Sequence, residues 1–187
     1  MFIETEATPN PDTLKFLPGR VILDAGTANF PDPDTAAASP LAKAMFGLAS
    51  VTGVFLGHDF ITITKATEVD WADIKPEVLA GLMQFFASGA DVISPEGQAS
   101  LAQAVDEGDA DADIVAQIRT LLDEKIRPAV AGDGGDIVYR GFREGVVYLQ
   151  MQGACAGCPS STITLKHGIE NLLKYYVPEV VDVQAVD

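Results

Sequence analysis

The chain has 187 residues, 48% of them hydrophobic, enough apolar material for one or two domains. Lys and Arg number 12 against 27 Asp and Glu, a formal net charge of −15; a surface that acidic repels phosphate backbones and excludes nucleic acid as an expected partner. No apolar run is long enough to span a bilayer, so no membrane partner is expected, and Met1-Phe2-Ile3-Glu4-Thr5-Glu6 carries neither a basic n-region nor an Arg/Ser-rich transit segment, which points to a bacterial-type cytoplasm or an already processed chain.

In chain order, Phe2 to Glu6 alternates apolar and polar residues as an edge strand does. Thr8-Pro9-Asn10-Pro11-Asp12 reads as a turn, because proline fixes φ and Asn and Asp cap turns. Leu14 to Leu17 resumes an extended run, Val21-Ile22-Leu23 reads as a further short strand, and Asp24 to Ala38 reads as loop. Ser39 and Pro40 are the N-cap and first-turn proline of a helix reaching Leu48. Val51 to Lys65 predicts a β-hairpin turning at Gly57-His58-Asp59, with His58 a solvated turn residue. A helix runs from Asp70 or Trp71 to about Ser88, with Ile74, Val78, Leu82 and Phe85 at helical spacing; Trp71, Phe85 and Phe86 read as core.

The composition changes after Phe86-Ala87. Residues 88–110 are dominated by Gly, Ala, Asp, Glu and Gln and read as an acidic linker, with a short helix near Gln98–Val105. This divides the chain into domains at 1–87 and 111–187. The second opens with a helix from about Ala112 to Arg127, apolar at Ile114, Ile118, Leu121, Leu122 and Ile126 and stopped by Pro128. Gly132-Asp133-Gly134-Gly135-Asp136 reads as a tight turn, since no strand precedes it as a dinucleotide fingerprint requires. Ile137-Val138-Tyr139 and Val146 to Met151 predict antiparallel strands around Phe142-Arg143-Glu144-Gly145. A helix follows from Ile163 to Tyr176, with Ile163, Ile169, Leu172, Leu173 and Tyr176 as its buried stripe, and a last strand runs from Val180 to Val186. The expected fold class is α+β: two small α+β domains joined by an acidic linker, the second in the order α-β-β-α-β.

Both cysteines of the chain lie between that strand and that helix, in Gly153-Ala154-Cys155-Ala156-Gly157-Cys158-Pro159-Ser160-Ser161-Thr162. The spacing lets Cys155 and Cys158 point at one centre. Pro159 suits a first helical position, and Ser160, Ser161 and Thr162 can bond the free amides of the first turn. Cys158 is thus expected at or beside a helix N-terminus, where unpaired amides and the dipole favour thiolate over thiol. Iron–sulfur clusters and structural zinc take four ligands, mostly thiolates. One chain supplies two, and two chains related by a two-fold axis supply four. The rival readings are dithiol redox chemistry, which a C-x-x-C pair also serves, zinc shared across a structural dimer, and an incidental thiol pair. His167 on the following helix reads as a surface or packing residue.

The motifs carry a resemblance. Ile126-Arg127-Pro128, Asp133-Gly134-Gly135-Asp136 and the ten residues from Gly153 to Thr162 resemble the NifU C-terminal-type domain of Nfu iron–sulfur scaffold proteins. Thr5 to Pro11, Leu14-Lys15-Phe16, Ser39-Pro40-Leu41-Ala42 and Asp59 to Lys65 resemble the N-terminal domain of the same proteins. The resemblance implies a protein that is not an enzyme but a scaffold or carrier. Its Cys155 and Cys158 would be the ligands of a [4Fe–4S] cluster bridging the two subunits of a homodimer. Its partners would be upstream cluster-assembly proteins and the apo iron–sulfur clients that receive the cluster. General cluster maturation is implied rather than a nitrogenase-specific role.

Overall fold

Antiparallel pairing organises the N-terminal part of the chain. In the computed structural model, which describes residues 2–102, 111–157 and 159–186, the chain divides into two units, Met1–Ala104 and Val105–Asp187. The fold is α+β in both.

The first unit holds strands β1 (Glu4–Ala7), β2 (Thr13–Leu17), β3 (Ala28–Phe30), β4 (Val51–Leu56) and β5 (Ile61–Lys65). They form one sheet in the order β1-β2-β5-β4-β3, antiparallel throughout, with β1 at an edge as expected. Helices α1 (Pro40–Phe46) and α2 (Trp71–Ser88) close the core over it, where Phe16, Leu41, Met45, Leu56, Ile61, Ile63, Val78 and Leu82 are fully buried. The start signals act as read: the Ser39 hydroxyl accepts from the Ala42 amide at 3.0 Å, and Asp70 caps α2. Gly89, at φ 69, ends α2 in a left-handed conformation that glycine adopts without strain.

Two expectations change here. Val21-Ile22-Leu23 is not a strand. The Ile22 and Leu23 amides both donate to the His58 carbonyl, at 2.7 and 3.2 Å, and the His58 ring Nδ1 lies 2.7 Å from the Leu23 carbonyl oxygen. His58 is exposed, as a turn residue is expected to be, and its hydrogen bonds tie this segment to the hairpin turn. The segment read as loop, residues 24–38, contains β3 and a 3-10 turn at Thr35–Ala38.

The acidic stretch also begins as packed chain rather than linker. Ile93 is buried in the first core, the Ser94 amide donates to the Ala38 carbonyl at 2.9 Å, and α3 runs from Pro95 to Ala102. The Ser39 hydroxyl also donates to the Val92 carbonyl and the Ser94 hydroxyl to the Ala38 carbonyl, so a segment whose composition looks solvated is anchored at several points. The remainder of the expected linker, 103–110, lies outside the described residues.

In the second unit, helix α4 (Ala112–Leu121) passes through a π-helical turn at Leu122–Ile126 into α5 (Arg127–Gly132). Pro128 does not stop this helix. It occupies the first turn of α5, directly after the widened turn, where its missing N–H breaks no regular helical bond. Strands β6 (Gly135–Arg143) and β7 (Val146–Gly153) are antiparallel. They join at a two-residue turn in which Glu144 and Gly145 have φ of 51° and 81°, the signature of a tight hairpin, so Phe142 and Arg143 belong to the strand. Helix α6 (Pro159–Tyr176) then crosses over to β8 (Asp182–Val186), which pairs parallel with β7, as a crossover helix permits. With α4, the π turn and α5 taken as one helical segment, the order is the expected α-β-β-α-β.

The second core is built from Ile118, Leu122, Val130, Ile137, Leu149, Leu173 and Val183. The buried stripe of α6 is narrower than its apolar residues suggest. Ile169 and Leu173 are buried, Val177 just beyond the helix joins them, and Leu172 is half-buried, whereas Ile163 is 57% exposed and Tyr176 49%. Among the described residues no helix is long and apolar enough to cross a membrane.

Candidate metal centre

The candidate centre lies where β7 ends and α6 begins. Gly153 closes β7 at φ 63 and Gly157 sits in the following loop at φ 78, both conformations that glycine adopts freely. They turn the chain back on itself within a few residues. The Ala156 amide donates to the Gly153 carbonyl at 3.1 Å, and the Ala154 amide donates to the Gly134 carbonyl, also at 3.1 Å. The loop is thus hydrogen-bonded to the glycine turn before β6. Thr162 adds a clamp from α6: its hydroxyl donates to the Cys155 carbonyl at 3.2 Å instead of capping a first-turn amide.

Cys155 is 5% exposed and packs into the second core. Its sulfur lies against the backbone of Gly135. A β-carbon added at Gly135 would come 2.5 Å from the Cys155 sulfur, 2.7 Å from the Gln152 carbonyl oxygen and 3.0 Å from the Cys155 amide nitrogen. Only glycine leaves that space. Gly135 is held in turn by its neighbour Asp136, 3% exposed, which accepts from Arg127 Nε and Nη2, each at 2.8 Å, and from the Ile137 amide at 2.8 Å. This two-pronged pair pins the start of β6 to the start of α5. Arg127 also bonds Asp123 at 3.0 Å, and these carboxylates raise its pKa, Asp136 contributing most, so it stays charged.

Burial, reinforced by the negative charges of Asp133 and Asp136, pushes the Cys155 thiol up to about 12. In the metal-free chain Cys155 carries its proton at neutral pH, and a bound metal must displace it. Cys158, and its expected place beside the helix N-terminus, lie outside the described residues, as do the side chains of Ser160 and Ser161. His167 points to solvent, its side chain 68% exposed and 3.9 Å from Glu170, and His58 belongs to the first unit. Among the described residues no three His, Cys, Asp or Glu side chains converge to hold a metal ion.

The role of Gly135 and of the Arg127–Asp136 pair as the floor of the loop goes beyond the tight turn read from the sequence. The doubled glycine between two aspartates was the available signal. Its purpose depends on a contact with a residue on another strand end, which spacing does not reveal.

Residues 3–89 match the family model described as the scaffold protein Nfu/NifU N terminal, and residues 118–184 match the NifU-like domain. A human protein named NFU1 iron-sulfur cluster scaffold homolog, mitochondrial, is 48% identical over 190 residues, covering 100% of this chain and 72% of that protein. Its namesake in Drosophila erecta is 50% identical over 187 residues, covering 100% of this chain and 65% of its own length. NifU-like protein 4, mitochondrial, of Arabidopsis thaliana is 48% identical over 186 residues, covering 98% of this chain and 65% of its own length. The chain thus spans just under two thirds of the fly and plant relatives. The solution structure of a NifU-like protein from Saccharomyces cerevisiae is 32% identical and covers 51% of this chain and 86% of that one, with a TM-score of 0.40. The relatives' names overturn the expectation of a bacterial-type cytoplasm, since all three are named as mitochondrial proteins. Spanned from end to end by relatives at this level of identity, the chain belongs to the Nfu family of iron–sulfur cluster scaffold proteins.

Proposed function

We propose that the chain binds a [4Fe–4S] cluster between two copies of itself through Cys155 and Cys158 of each, and passes that cluster to apo iron–sulfur proteins. One observation carries this reading: the whole chain has two cysteines, placed as C-x-x-C, while a thiolate-bound cluster takes four. The loop geometry supports it. A backbone shaped by glycines at φ 63 and 78, a space kept clear by Gly135 and a clamp from Thr162 fix the Cys155 backbone before any metal arrives.

The cluster is cargo. Each iron–sulfur(Cys) bond to the scaffold breaks as a bond to the sulfur of a client thiol forms, and that thiol's proton passes to the released cysteine. The number and kind of bonds are unchanged, so transfer is close to balanced in energy. Burial tips the balance: the metal-free scaffold regains a protonated Cys155, the form its surroundings favour. No bond of a substrate is catalytically made or broken, which fits a scaffold rather than an enzyme.

The test is anaerobic reconstitution with iron and sulfide, read by visible spectrum, iron and sulfide content and mass in solution. The expected result is a brown dimer with four irons and four sulfides per pair of chains, and loss of the cluster in Cys155→Ser and in Cys158→Ser. A colourless protein that turns over disulfides would instead identify a dithiol oxidoreductase, and a colourless dimer holding zinc a structural role.

A further inference from the structure

Helix α6 carries an exposed ridge that the fold leaves uncovered. Ile163, His167, Asn171 and Tyr175 follow one another at intervals of four along the helix, all exposed, with Ile163 at 57% and Tyr175 at 80%. Residues four apart lie on one face. Gly168 beside them has open space where a β-carbon would stand, so another backbone can come close near the middle of the helix. The charged residues of α6 are paired: Lys174 with Glu170, Glu170 also 3.9 Å from His167 on the ridge, and Lys166 4.0 Å from Asp182 of β8. In a chain of net charge −15, a helix face built from Ile, His, Gly, Asn and Tyr is unusual.

We infer that this ridge is the surface on which a second copy of the chain docks, with the two α6 helices side by side and their N-terminal ends together. The inference rests on the cluster-bridging reading above. Four ligands from two chains require the two cysteine loops to meet, and each loop leads directly into α6. Like-charged chains must approach where charge is least, and the ridge starts one turn into the helix that the loop leads into. A side-by-side arrangement about a two-fold axis parallel to the helices sets Ile163 against its own copy nearest the cysteine loops and Tyr175 against its copy farthest away. An antiparallel arrangement would cover the same ridge but put the loops at opposite ends of helices of 18 residues, about 27 Å long, too far apart to share a cluster. Cluster and ridge then reinforce one another: the thiolates hold the chains together at one end and the apolar contact orients them.

The experiment uses the full chain, with Ile163→Glu, Tyr175→Glu and, as a control of equal charge change, Met83→Glu on the exposed face of α2. Each is reconstituted anaerobically; iron content and mass in solution are recorded, along with circular dichroism of the metal-free form. Expected is wild-type folding in all three. Ile163→Glu should lose at least about tenfold in the fraction of loaded dimer, the equivalent of about 1.4 kcal/mol. Tyr175→Glu should lose less, and Met83→Glu nothing. A photo-crosslinking residue at Asn171 should join two copies covalently in loaded protein and not in metal-free protein. Loading and dimerisation of Ile163→Glu at wild-type level, with no crosslink, would overturn the inference while leaving the cluster reading intact. Normal loading with slowed delivery to a client would also overturn it, by assigning the ridge to the client. Failure of the wild-type chain to load a cluster as a dimer would instead bring down the underlying reading.

Discussion

The two helices α2 and α6 are each 18 residues long and cover their own sheets in different ways. α2 buries Ile74, Val78, Leu82 and Phe85 and turns mostly small and polar residues outward. α6 buries Ile169 and Leu173, and exposes Ile163, Tyr175 and Tyr176. α2 is spent mostly on holding the first unit together, with Met83 its one large exposed hydrophobic. α6 does that work with fewer residues and leaves more large apolar side chains exposed, on the helix that begins beside the cysteines. A helix whose apolar residues exceed its buried ones marks the part of the molecule that has business outside its own core.

The largest effects should come from emptying the buried side of either helix. Leu82→Ala and Leu173→Ala remove fully buried side chains and should each cost about 2–5 kcal/mol. Trp71, the chain's one tryptophan, lies in the first unit, so its fluorescence should follow the Leu82 variant while far-ultraviolet dichroism also registers the Leu173 variant. A Leu173→Ala protein that loses Trp71 fluorescence at lower urea than wild type would show that the two cores unfold together.

Next comes the pin beneath the cysteine loop. Arg127→Met takes the two-pronged guanidinium bond away from the Asp136 carboxylate, which is 3% exposed, while Arg127 itself is 37% exposed. A fully buried pair loses more on such a change, so about 2–3 kcal/mol is expected here, read as a lower urea midpoint of the second unit. Asp136→Asn should cost less, because it removes the buried charge along with the pairing. Equal losses from both would show that the hydrogen bonds, not the charge, hold β6 in place.

Much of this was legible in the chain and some was not. Ser39-Pro40 and Asp70 announce α1 and α2 because a cap works within four residues and needs no distant partner. β3 hid among Pro and Asp because its strand character comes from pairing with β4, a distant partner. Pro128 looked like a helix stop, since sequence does not show a widened turn that absorbs the missing amide. Cys155 stands out in the sequence by type and spacing, but its raised thiol does not, because burial and the charges of Asp133 and Asp136 arrive through the fold. Ile163 was assigned to the buried stripe because spacing alone does not tell a core position from a ridge one helix face away.

Gly135→Ala should have a smaller effect on stability and a clear one on loading. The added methyl would stand 2.5 Å from the Cys155 sulfur and 2.7 Å from the Gln152 carbonyl, so the loop must shift. Overpacking of this kind costs about 1–3 kcal/mol. Iron content after reconstitution should fall further than the lost stability explains, since a displaced sulfur no longer meets the geometry its partners set. Gly132→Ala provides the contrast, as a β-carbon added there has nothing within 4 Å. Equal iron content in the two variants at equal stability would remove Gly135 from the floor of the site.

The smallest effect sharpens the comparison most. Ile163→Ala and Tyr175→Ala delete side chains that are 57% and 80% exposed and touch little of the second core. Both should change the stability of the metal-free chain by no more than about 0.5 kcal/mol in urea unfolding, the range of surface substitutions. Alanine is also the better helix former at either position, which offsets part of any loss. A loss above about 1 kcal/mol from Ile163→Ala would mean that the side chain supports its own fold after all, and that α6, like α2, is spent on its own core. An unchanged metal-free stability combined with a weakened loaded dimer would separate the two duties of the helix: Ile169 and Leu173 for the core, Ile163 and Tyr175 for the second copy.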